Sequence, residues 1–171
     1  MVKVIDPVLT DEDISFYTEL VNSDNLEYNQ GIVYNTTYSR PEARNYYNRF
    51  LIENSEYRKY LTEKLISNKL LNNELSVLEI WINKITPDSN KDDGFHNDFS
   101  DITFLIYLND EFTGGEFEYM EGNIPHKIQP TKGLTLRLDN KVLHRVLPVT
   151  TGIRSVSYTH LRAHETGRNL V

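Results

Sequence analysis

The sequence predicts an α+β protein, mainly β, in which helices come first and a barrel-like core of short strands follows. Three observations predict it. Residues 1–75 carry apolar positions at helical spacing. Residues 76–155 carry alternating or continuous apolar runs, and those runs are short and broken by Gly and Pro turns. At 171 residues, 39% hydrophobic and 11% aromatic, the chain suits one domain with a sizeable core.

Each element follows in order. Thr10-Asp11-Glu12-Asp13 reads as a helix start, with Thr10 as cap and acids in the first turn. Ile14, Tyr17, Leu20 and Val21 then recur at helical spacing, and Asn22 to Asn25 ends the helix. Gly31 to Thr37 has the β-branched and aromatic content of a strand. Ser39 to Pro41 opens a second helix, with Tyr47, Phe50 and Leu51 on its apolar face. A third helix runs from Glu56 to Leu71 around Tyr60, Leu61, Leu65 and Leu70.

From Leu75 the period changes to two. Val77, Glu79, Trp81, Asn83 and Ile85 share one face; Leu78, Ile80 and Ile82 share the other. Pro87 to Gly94 is a polar loop. Asp101 to Leu108 is nearly continuous in apolar residues, as in a strand buried on both faces. Asn109 to Gly115 holds a turn at Gly114-Gly115. Glu116–Met120, His126–Gln129, Leu134–Leu138 and Val142–Val149 are further short strands.

Composition bounds function. The absence of cysteine removes disulfides, thiolate metal sites and Cys nucleophiles, and fits a cytoplasmic protein. A net charge of −7 opposes nucleic-acid binding. No run approaches the ~18 uncharged apolar residues of a membrane span. Met1 to Pro7 lacks a secretory pattern. The expected partner is a protein, peptide or small-molecule substrate, and no feature fixes an oligomeric state.

The chemistry concentrates in His96-Asn97-Asp98, with His144 far downstream and Arg154 ten residues after it. Two histidines and a carboxylate are the ligand set of a non-haem Fe(II) site with open positions. On an extended chain His96 and Asp98 point to one side while Asn97 points away. A lone His-x-Asp is commonly a surface turn; the second histidine and the arginine set this one apart. Arginine beside such a metal suits an acidic co-substrate, because its planar fork grips a carboxylate bidentately.

The last residues read differently. Val156 to Thr166, and then Asn169 to Val171, resemble in one frame the translation of a sequencing-library adapter. Residues 156–171 are accordingly read as an artefactual tail, poor in apolar residues after Tyr158, that leaves the sheet unclosed. His160 and His164, though spaced like a helical metal pair, are set aside for that reason. His126 reads as an ordinary edge-strand histidine, and Trp81 as core.

Several separate motifs then occur in one order: His96-Asn-Asp98, Leu105-Ile-Tyr107-Leu-Asn109, Gly114-Gly115-Glu116-Phe117, and His144-Arg-Val-Leu-Pro-Val149 leading into Gly152-Ile-Arg154. Over residues 77–155 the chain resembles 2-oxoglutarate- and Fe(II)-dependent dioxygenases of the prolyl 4-hydroxylase type. The resemblance implies a double-stranded β-helix (a jelly-roll, cupin-like core) over 76–155, with 1–75 as a helical support region. It implies His96, Asp98 and His144 as ligands of Fe(II), and Arg154 as the partner of the distal carboxylate of 2-oxoglutarate. Tyr107 aligns with a tyrosine that touches the co-substrate. Thr86 stands where relatives often carry another tyrosine, and Phe117 walls the pocket. Thr135 and Arg137 are expected to line the same cavity.

The implied cofactors and co-substrates are Fe(II), 2-oxoglutarate, O2 and ascorbate. The implied reaction hydroxylates an unactivated C–H and releases succinate and CO2. A peptidyl proline is the first substrate to consider, then another protein side chain or a small molecule. Related halogenases lack the carboxylate, so Asp98 points to hydroxylation. Two other readings stand beside this one: a cupin-like metal enzyme that does not use 2-oxoglutarate, and a non-catalytic jelly-roll binding domain.

Overall fold

The computed structural model describes residues 1–23, 29–35, 40–50, 56–89, 94–139 and 141–164. Their elements are β1 (Val2–Ile5), α1 (Asp11–Ser23), β2 (Asn29–Asn35), β3 (Arg40–Phe50), α2 (Glu56–Ser67), β4 (Leu75–Ile85), a short 3-10 turn (Pro87–Ser89), β5 (Ile102–Tyr107), β6 (Phe112–Gly114), β7 (Phe117–Glu121), β8 (Ile124–Ile128), β9 (Thr135–Asp139), β10 (His144–Val146), β11 (Val149–Gly152) and β12 (Arg154–Ala163). No helix among the described residues is long and apolar enough to cross a membrane.

The strands form a large sheet ordered β1-β9-β5-β12-β4-β3-β2, a smaller one ordered β10-β7-β8, and the pair β11-β6. This is the double-stranded β-helix that the motifs imply. The large sheet has two unlike faces. On one, Ile80, Ile82, Phe104, Ile106 and Leu161 pack against Ile14 and Tyr17 of α1 and Tyr57, Leu61 and Leu65 of α2. On the other, Leu105, Tyr107, Leu136, Leu138 and Val156 close over Phe117 of the small sheet. β5 is thus covered on both sides, which explains its unbroken apolar run.

α1 begins where its caps are. The Asp13 N–H donates to Thr10 Oγ1 at 3.1 Å and the Thr10 N–H to Asp13 Oδ2 at 3.0 Å, a reciprocal capping box. The other oxygen of Asp13 accepts from the Tyr60 hydroxyl and from Lys64, each at 2.6 Å, and ties α1 to α2. α2 stops at Ser67 rather than Leu71, with Lys69 in the left-handed region and the Leu70 N–H closing back on the Leu65 carbonyl.

Three expectations are corrected. The helix expected from 39–41 onward is the strand β3. Its residues Tyr47 to Phe50 pair with Lys84 to Trp81 of β4, and its other edge pairs with β2. Ladder bonds on both sides outweigh the small helix preference of Glu42, Ala43 and Arg44. The strand expected over Val142–Val149 is two, β10 and β11, because Pro148 cannot donate to a ladder.

Finally, residues 156–163 do not leave the sheet unclosed. β12 runs without a break from Arg154 to Ala163, pairs with β4 on one side and β5 on the other, and buries Val156, Ser157, Thr159 and Leu161. The adapter resemblance concerns the origin of the codons. The alternation of Val156, Tyr158 and His160 with Ser157 and Thr159 suits a strand whatever that origin.

Candidate metal and co-substrate site

The site starts from one isolated backbone bridge. The His96 N–H donates to the His144 carbonyl at 3.0 Å, and the His144 N–H returns to the His96 carbonyl at 2.9 Å. This pins the loop before β5 to β10 and sets the two rings 4.5 Å apart between centroids. Asp98, two residues on, falls on the same side. One ligand atom from each of His96, Asp98 and His144 lies within 4.8 Å of the others. The three run from exposed His96 through half-buried Asp98 to buried His144.

Both imidazoles have their free nitrogen turned inward. His144 Nδ1 lies 3.0 Å from the Val142 carbonyl, and His96 Nδ1 lies 3.2 Å from the Gly94 carbonyl. A ring nitrogen facing a carbonyl oxygen carries a proton, so in the neutral ring it is Nε2 that presents the lone pair. Burial pushes the His144 pKa below its ordinary value, past the opposing pull of Asp98. An ion pair with Asp98, whose Oδ1 is 3.6 Å away, would have raised it. Burial wins, and the ring stays neutral as a metal ligand must be. For Asp98, burial works the other way, but His160, His144 and Thr103 together hold its carboxyl well below the usual carboxylate range.

Deeper in the barrel lies Arg154, fully buried. Its Nε donates to the Gly115 carbonyl at 3.1 Å and its Nη2 to the Tyr107 hydroxyl at 3.0 Å. Its Nη1 is buried with no hydrogen-bond partner. Although burial opposes its charge, Tyr107 and Tyr158 hold its pKa above the ordinary arginine value. Among the described residues no carboxylate pairs with it. A buried cation without a counter-ion is costly. A ligand carboxylate is the group that would complete it, so the residues present fit 2-oxoglutarate. Gly115 is shaped to this: at φ 68 it sits where an added Cβ would meet Arg154 Cδ at 3.0 Å.

The comparisons agree. The family model described as the 2OG-Fe(II) oxygenase superfamily matches residues 84–161. Over those residues the chain is similar to the 2OG-Fe(II) oxygenase superfamily. Solved structures of similar fold include a 2OG-Fe(II) oxygenase-family oxidoreductase from Burkholderia pseudomallei, with TM-score 0.74 and 14% identity, covering 96% of this chain and 85% of that one. A Trichoplax adhaerens prolyl hydroxylase, solved with a hypoxia inducible factor peptide fragment, gives TM-score 0.70 at 16% identity, covering 95% and 83%. The viral collagen prolyl hydroxylase of Paramecium Bursaria Chlorella virus-1, solved with 2OG, gives TM-score 0.61 at 21% identity, covering 95% and 96%. At these identities the likeness is one of fold. No curated protein matches the chain in sequence.

The remaining expected residues divide within this oxygenase fold. Phe117 is fully buried and lies against the His144 ring, centroids 5.4 Å apart. Tyr107 touches Arg154, and burial raises the pKa of its phenol, so it stays a neutral hydroxyl. Thr86 is half-buried just beyond β4, and the residue cross-strand from Arg154 is Ile85. Thr135 and Arg137 do not line the cavity. They pair with Ile106 and Phe104 and so face the helices, where Thr135 Oγ1 accepts from the Val8 N–H at 3.4 Å. The pleat decides this, since Leu136 between them takes the inner face. His126 lies on the outer strand β8 of the small sheet, stacked on Tyr119. Trp81 does lie on the inner face, its ring 5.0 Å from that of His160.

Sequence reasoning missed two features. Asn83 stands on the inner face opposite Val156, with a buried Oδ1 that has no partner. Its place in the alternation with Trp81 and Ile85 was the available signal. His160, set aside with the tail, brings Nε2 to 3.8 Å from Asp98 Oδ2. Asp92 and Asp93 lie outside the described residues.

Proposed function

We propose that this chain is an Fe(II)- and 2-oxoglutarate-dependent dioxygenase that hydroxylates an unactivated C–H of a peptide side chain, proline first, with release of succinate and CO2. The observation that carries the reading is the pairing of two features in one barrel. Near the mouth, His96, Asp98 and His144 offer two imidazoles and one carboxylate. Within, the Arg154 guanidinium keeps a buried Nη1 that has no hydrogen-bond partner among the described residues. His96, Asp98 and His144 would hold Fe(II); Arg154 and Tyr107 would hold the distal carboxylate of 2-oxoglutarate. Bound iron and its co-substrate supply the oxidising chemistry, with O2 as oxidant and ascorbate as the reductant that maintains the iron.

The protein's own share is positioning and exclusion. Phe117, Leu105 and Val156 form a dry wall. The Gly115 carbonyl and the Tyr107 hydroxyl fix the angle of the Arg154 fork. The exposed side of the triad, at His96, is where a prime substrate can approach. The peptide class rests on the Trichoplax adhaerens enzyme, which was solved with a peptide fragment. A soluble, non-membrane, non-nucleic-acid setting is part of the same proposal.

The test is anaerobic addition of Fe(II) and 2-oxoglutarate to the protein and to Asp98→Ala. A visible charge-transfer band in the parent that disappears in the variant is the expected result. No band from the folded parent would sink the dioxygenase reading. Succinate release stimulated by a proline-containing peptide then tests the substrate class.

A further inference from the structure

Asp98 has two oxygens, and the fold treats them differently. Oδ2 accepts the Thr103 hydroxyl at 2.6 Å. Thr103 has then spent its one proton, so the Ser100 hydroxyl, 2.8 Å away, must donate to it. Thr103 is 1% exposed and Ser100 is 5% exposed, which shields the relay from solvent. Thr103 stands on the inner face of β5, opposite Leu138 on one side and His160 on the other. A small cleft beside it is lined by Asp98, Ser100, Thr103 and His144 together with Leu138 and Val142. His160 Nε2, at 3.8 Å from Oδ2, is beyond hydrogen-bond reach. Oδ1 lies 3.6 Å from His144 Nε2.

We infer that Thr103, backed by Ser100, is a positioning residue that locks Asp98 to present a single oxygen to a metal held by His96 and His144. The inference rests on the metal-site reading given above. Its chemical consequence is specific. A carboxylate free to turn can place both oxygens on a metal and occupy a position that a chelating co-substrate or O2 needs. A locked Oδ2 prevents that. Removing the hydroxyl takes away the short hydrogen bond that fixes Oδ2 and leaves the carboxylate free to turn. Groups that orient ligands from outside the first ring of contacts typically contribute about 10–100-fold in metal affinity.

The experiment titrates the full chain with Co(II) and follows its visible absorption, whose intensity falls as coordination number rises. Thr103→Val keeps the shape and removes the hydroxyl; Thr103→Ser keeps the hydroxyl. Thr103→Val is expected to bind about tenfold more weakly and with a fainter band, while Thr103→Ser restores both. Ser100→Ala, which removes only the donor to Thr103, gives a smaller loss in the same direction and carries the test if Thr103→Val does not fold. A parent that takes no Co(II) overturns the metal site and this role with it. A parent that binds, with variants equal to it in affinity and spectrum, overturns the role of Thr103 alone.

Discussion

The two faces of the large sheet are built from the same strands to opposite rules. Toward the helices, Ile80, Ile82, Phe104, Ile106 and Leu161 meet Tyr17, Leu61 and Leu65 in a core closed by apolar contact. Toward the small sheet, Arg154 and His144 are buried, with Asp98 half-buried beside them, and Arg154 and Asn83 keep polar atoms without partners. The first face is closed but for Thr159, whose buried Oγ1 has no hydrogen-bond partner among the described residues. The second is complete only when something binds. Stability and function are thereby assigned to opposite sides of a single layer, with adjacent residues such as Phe104 and Leu105 serving one each.

The comparison can be broken most severely at Phe104. Phe104→Ala should lower stability by about 3–5 kcal/mol, read by denaturant unfolding, while Co(II) and 2-oxoglutarate affinity of the folded protein stay unchanged. Affinity falling in step with stability would show that the faces are not independent. Next comes Arg154→Met. Losing a charge pair to a ligand costs about 2 kcal/mol or more in binding, so 2-oxoglutarate should no longer raise Tm. The ligand-free Tm should hold, because the variant also removes an unpaired buried charge. A Tm that 2-oxoglutarate still raises would move the carboxylate site elsewhere.

The smallest effect belongs to Asp13, on the helix side. Lys64 and Tyr60 hold its carboxyl well below the usual carboxylate range. As pH falls through about 4, the unfolded chain takes up the proton first. The contribution of Asp13 is therefore full above that range and shrinks progressively below it, vanishing only once the folded protein takes up the proton as well. Asp13→Asn should lower Tm at neutral pH, and the gap should begin to narrow as pH falls below about 4. A gap independent of pH would mean that hydrogen bonding, not charge, holds the two helices.

What could be read in advance follows the same division. The gathering of His96, Asp98 and His144 was legible because a few residue types at fixed spacing have little else to do together. β4 was legible because its period is two, and β5 because its apolar run is nearly unbroken. β3 was not, since Tyr47, Phe50 and Leu51 fit a helical face as well as a strand, and only the ladders of β2 and β4 decide. Thr135 and Arg137 were misplaced because the pleat of a short strand is set by its neighbours. Thr103 stayed silent: one threonine in an apolar run gives no sign that it faces a carboxylate five residues earlier.

The position of β12 also sets a timetable. It occupies the centre of the large sheet, between β4 and β5, yet follows both of them in the chain. β1 likewise waits for β9, with Val2 opposite Leu138. During synthesis β5 is made roughly 3–10 s before its central partner exists. Through that interval the facing edges of β4 and β5 stand open to unrelated chains. Pairings this distant along the chain close slowly, so the nascent polypeptide passes through a window in which sequestration by a chaperone, more than final stability, governs the yield of folded protein.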